Sequence, residues 1–91
     1  MSQMEAVIKA RTKRYAALNY MAEWYGRLAV SCEHLIVLYE DSDDRDERAY
    51  QQVCAMKETA ASKLNSLSIF LLKEREWLDR HVFNEDCEAR Q

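Results

Sequence analysis

Apolar residues recur along the first half of the chain at Met4, Ile8, Tyr15, Leu18, Ala22, Tyr25, Ala29, Cys32, Ile36 and Tyr39, with Arg11 as the polar exception. The steps alternate between three and four, the period of one face of an α-helix. The second half repeats the spacing at Tyr50, Val53, Ala60, Leu64, Leu67, Leu71 and Leu78, interrupted by Lys57 and Glu74. Two long amphipathic helices are predicted. Ser2 with Glu5 three residues on forms a capping box, which starts helix one near Gln3 and lets it run over about 3–40. The acidic stretch after it reads as a turn over about 41–45. Asp43 or Asp44 can cap helix two over about 46–83, since carboxylates suit the positive end of a helix. Asn84 is a plausible stop, and residues 85–91 read as a polar tail, leaving one domain over 1–84.

The two halves reflect onto each other about the acidic stretch. When opposed residue numbers sum to 85, Arg11 meets Glu74, Lys9 meets Glu76, Arg27 meets Glu58 and Glu40 meets Arg45. Leu18 meets Leu67 and Met21 meets Leu64 on the same sum, and outside the turn itself, where Asp41 meets Asp44, no like-charged pair falls on it. That is the pattern of two helices packed antiparallel, so the expected fold is all-α, a long helical hairpin. The absence of proline and the single glycine, Gly26, agree with long helices. The alternative is a break near Gly26, giving a three-helix bundle. It is weakened because a glycine costs only about 1 kcal/mol in a helix interior and the apolar phase continues past Arg27.

A second stripe flanks the first and carries Trp24, Leu28, Leu35, Phe70 and Trp77. One seam between two helices leaves it wet, and a patch of that size is more than a monomer normally exposes. These five residues are therefore the expected interface. They would serve a homodimer forming a four-helix bundle, or docking on a helical protein partner. Arg11 and Glu74 fall in one layer of otherwise apolar rows and are the candidate ion pair that sets register. The plainer reading is two long side chains snorkelling from the open end.

Composition narrows the function further. A net charge of −3 argues against a dedicated nucleic-acid binder. The rival reading, a small DNA-binding transcriptional regulator, would use Lys9, Lys13 and Arg14. Three scattered cysteines do not make a disulfide scaffold, no signal-peptide layout opens the chain, and no apolar run approaches a membrane span. A cytoplasmic protein is expected. Cys32 and Cys54 fall near each other across the seam, but zinc would need about four ligands, and His34, His81 and Cys87 are poorly placed to complete a set. A calcium loop begun at Asp41 fails, because Asp46 stands where glycine is required and Gln52 where glutamate is required. Neither histidine has a nucleophile beside it and no glycine-rich phosphate loop exists, so no enzyme, cofactor or small-molecule substrate is expected.

Trp24-Tyr25-Gly26 resembles the Trp-x-Gly motif of a family of secreted helical hairpins of about this length. In that family the motif lies in the turn; here it falls inside helix one, and no tyrosine follows Tyr50 to supply the family's C-terminal signal. No residue role is transferred. The expectation is a small protein–protein interaction module of chaperone, adaptor or inhibitor type.

Overall fold

A computed structural model of the chain describes residues 2–89, with side chains described for 2–82. It contains two helices, α1 (Gln3–Glu40) and α2 (Glu47–Ala89), packed antiparallel. The fold is an all-α helical hairpin. α1 begins as expected: Ser2 is extended, and its hydroxyl accepts from the Glu5 amide at 3.1 Å. α1 then runs unbroken through Gly26, which has no positive φ, so the three-helix alternative is ruled out. One glycine inside 38 helical residues is outweighed by the apolar face that continues on both sides of it.

Two boundaries differ from the sequence reading. The cap of α2 is Asp46, not Asp43 or Asp44: its Oδ1 accepts from the amides of Arg48 at 3.1 Å and Ala49 at 3.2 Å. Several aspartates in a row offer the same cap chemistry, and only the one whose carboxylate meets the free amides of the first turn acts. At the other end α2 continues to Ala89, past Asn84. Asparagine disfavours a helix only mildly, and no glycine or proline follows it to stop the chain. Residues 90–91 of the expected tail lie outside the described residues.

The seam combines small residues with larger aliphatic ones. Ala22, Cys32, Ile36, Ala60 and Leu71 are the buried apolar side chains. Ala22 and Ala60 let the backbones approach, while Leu18, Tyr25, Leu64 and Leu67 remain half-buried beside them. The hairpin is one helix thick, 69 × 20 × 14 Å. Its radius of gyration is 20.0 Å, where a compact domain of this length has roughly 12 Å. Its accessible surface is 7285 Å², against roughly 5,500 Å² for a compact monomer of this mass. By itself the hairpin is an open two-helix layer.

Candidate interaction surface and its ion cluster

Both polar interruptions of the α2 row face an opposite charge on α1. Lys57 pairs with Glu33. Glu74 pairs with Arg11 and Arg14. The Arg11 pair is bidentate, Nε donating to Oε1 at 2.8 Å and Nη2 to Oε2 at 3.0 Å, and Arg14 Nη2 donates to Oε1 at 2.8 Å. Glu74 is only 3% exposed, so its charge has lost nearly all its water and depends on these three donors. The Arg11 guanidinium, followed by Arg14, holds the Glu74 carboxyl below its ordinary value against the opposing effect of burial.

An aromatic stack continues the cluster. The Arg11 guanidinium carbon lies 3.7 Å from the centre of the Trp77 ring, and the His81 ring stacks on Trp77 at 3.9 Å with an 18° tilt. Two groups that close to one ring centre must occupy its opposite faces. His81 Nδ1 sits 2.8 Å from the Trp77 carbonyl oxygen; a carbonyl only accepts, so that nitrogen carries the proton. Arg14 lies 5.3 Å from the Phe70 ring centre, within cation–π range.

Elsewhere the pairs run wider than the sequence sum suggested. Neither Arg27 with Glu58 nor Glu40 with Arg45 forms an ion pair among the described residues. Tyr50 donates to Glu40 at 3.1 Å, and Arg45 pairs with Glu47 at 2.9 Å. The helices end at Glu40 and Glu47, so the reflection near the bend is centred later than assumed.

Of the five expected interface residues, Trp24, Leu28 and Leu35 fall within about 40° of one another on α1 at 100° per residue, and Phe70 and Trp77 within about 20° on α2. Trp24 is 55% exposed and Phe70 39% exposed; Leu35 is also exposed. Tyr25 stands between two shallow depressions on this side. One is walled by Leu18, Met21, Leu67 and Phe70, the other by Trp24, Leu28, Met56 and Ala60. The depressions share Tyr25, so the five residues belong to one side of the hairpin. Leu28 and Trp77 are half-buried, and Trp77 differs in character because it is sandwiched in the cluster rather than open.

The basic trio is divided. Arg14 is engaged by Glu74, while Lys9 and Lys13 are exposed and form no ion pair among the described residues. Cys32 is buried and Cys54 half-buried, and both are free thiols. Cys87 and its side chain lie outside the described side chains. The sequence reading missed Arg14 and His81 as members of the Glu74 cluster. The signal was present: Arg14 follows Arg11 by three residues and His81 follows Trp77 by four, so each pair shares a helix face. No described helix is long and apolar enough to cross a membrane. Compared with protein-family models, curated proteins and solved structures, the chain matches none.

Proposed function

We propose that the protein is a protein–protein interaction module, of chaperone, adaptor or inhibitor type, whose working surface is the apolar side carrying Trp24, Leu28, Leu35 and Phe70. The observation that carries this reading is the exposure of large apolar residues along that side of a hairpin whose own seam buries mainly small ones. An amphipathic helix face left open in this way is the usual receptor for another helix. Trp24 and Phe70 are the anchors, because buried aromatic residues dominate interface energies. The free cysteines suit a reducing compartment, and the cytoplasm is the proposed location.

Sedimentation velocity on the protein purified from its host tests the reading. The expected particle is heavier than the 10.8 kDa chain, persists in 1 M NaCl, and falls to the single-chain mass in the Trp24→Glu/Phe70→Glu variant. A wild-type particle of single-chain mass at tens of micromolar overturns it, as does a heavier particle indifferent to the substitutions.

A further inference from the structure

The charge on the hairpin is separated along its length. The half nearest the bend, residues 23–64, holds nine acidic and five basic residues, a net −4. The open half, residues 2–22 with 65–82, holds four acidic and seven basic residues, a net +3. Residues 83–91 add three acids and Arg90, which leaves that half at +1. One end of the rod is therefore acidic and the other is not.

We infer that the occupant of the apolar side is a second copy of this chain, stacked face to face and reversed end for end, so that each acidic bend lies over the partner's basic open end. The inference rests on the reading under "Proposed function" and names the partner. Two further observations support it. The hairpin's surface exceeds that of a compact monomer by roughly 1,700 Å². That lies within the roughly 1,000–2,500 Å² each copy buries in an obligate homodimer. The side chains are also in register for a two-fold axis. Place it level with Met21 and Ala22, midway between Gln3 and Glu40, and keep the helix register that sets Arg11 beside Glu74. Leu28 then falls level with Phe70 of the second copy, Leu35 level with Trp77, and Trp24 level with the small Ser66. A single axis satisfies all three, and it is the axis that brings opposite charges together.

The competing stack keeps both bends at the same end. It juxtaposes two acidic ends a helix diameter apart, where charges within about a Debye length still repel. Apolar contact supplies affinity in either stack; charge selects the reversed one.

Zero-length carbodiimide cross-linking of carboxylates to lysines, read by mass spectrometry on the intact protein, tests this directly. Within one copy Lys9 and Lys13 lie roughly 40–50 Å from the bend acids at 1.5 Å per residue, too far to join. In the reversed stack, cross-links connect Asp41, Asp43 or Asp44 to Lys9 of the second copy, which the axis at Met21 and Ala22 leaves roughly 10 Å along the rod from the bend, whereas Lys13 and Lys73 stay roughly 15 Å or more away; the cross-links occur only in chains of doubled mass. A second measurement uses a spin label at Ser42→Cys with Cys32, Cys54 and Cys87 replaced by alanine. The expected label separation approaches the 69 Å length of the hairpin. A dimer with labels a helix diameter or two apart overturns the reversed stack and leaves the interaction surface standing. A wild-type particle containing a different protein overturns the second copy in the same way. A single-chain particle overturns both.

Discussion

Gly26→Ala isolates the continuity of α1. Gly26 lies near the middle of that helix, and no described residue has positive φ, so alanine fits the backbone without strain. A methyl at its Cβ position has Leu64 Cδ2 as its neighbour, at 3.9 Å, which is ordinary van der Waals contact. The substitution removes the entropy that glycine loses in a helix, about 1 kcal/mol, and adds a small apolar contact. For a domain of this size that corresponds to a rise in Tm of about 4–8 °C. Thermal unfolding by far-ultraviolet circular dichroism, with wild type and variant at one concentration, measures it. The oligomer mass should not change, because the new methyl faces Leu64 rather than the Trp24 side. An unchanged or lowered Tm would refute the reasoning, since it would require a break, a strained backbone or a closer neighbour at Gly26.

The ion cluster gives three further expectations. Glu74→Leu keeps thermal stability within about 1 kcal/mol of wild type or raises it, because the buried charge disappears along with its partners' task. Glu74→Gln lowers stability by about 1–3 kcal/mol, less than a fully buried pair would lose, since Arg11 and Arg14 side chains are 29% and 51% exposed and can turn to water. A reversed order for the two variants in urea unfolding contradicts this. Because the folded Glu74 carboxyl titrates below its ordinary 4.5, its contribution is complete above that pH and is lost as the pH falls through the lower folded value. The difference in urea midpoint between wild type and Glu74→Gln should therefore be constant above pH 5 and shrink below about pH 4; a difference that grows in acid has the wrong sign. On the α2 cap, Asp46→Ala leaves the Arg48 and Ala49 amides without their acceptor and lowers stability by about 1 kcal/mol, whereas Asp43→Ala changes it by less than about 0.5 kcal/mol. Heparin retention separates the DNA-contact reading: with Arg14 engaged by Glu74, the wild type should elute at low salt, and steep salt-dependent retention lost in Lys9→Ala/Lys13→Ala would revive that reading.

Most of the fold was legible because two helices without competing strand or turn signals leave only their relative direction open. The opposed charges and the matched apolar rows settle that direction. The seam residues Ala22, Cys32, Ile36 and Ala60 stand in the predicted rows for the same reason. The cap was not legible, because Asp43, Asp44 and Asp46 are chemically alike and the choice depends on where the backbone leaves the turn. The ion pairs were only partly legible. A reflection about one number is right at the open end, where Arg11 meets Glu74, and drifts near the bend, where Glu33 meets Lys57 instead of Glu58 meeting Arg27. Long arginine and lysine side chains reach a full turn along the helix, so numbering alone does not select their partner. Trp77 illustrates the same limit: its row predicts an open aromatic, while the Arg11 guanidinium and the His81 ring cover its faces.

The dependence of unfolding temperature on protein concentration bears most directly on whether the hairpin is half of a larger bundle. Two chains of 91 residues that unfold together at about 0.7 kcal/mol per residue should gain roughly 8 °C in Tm for each hundredfold rise in concentration. A Tm that stays constant across that range would mean that the hairpin stands alone, with Trp24 and Phe70 in water, and would contradict the pairing.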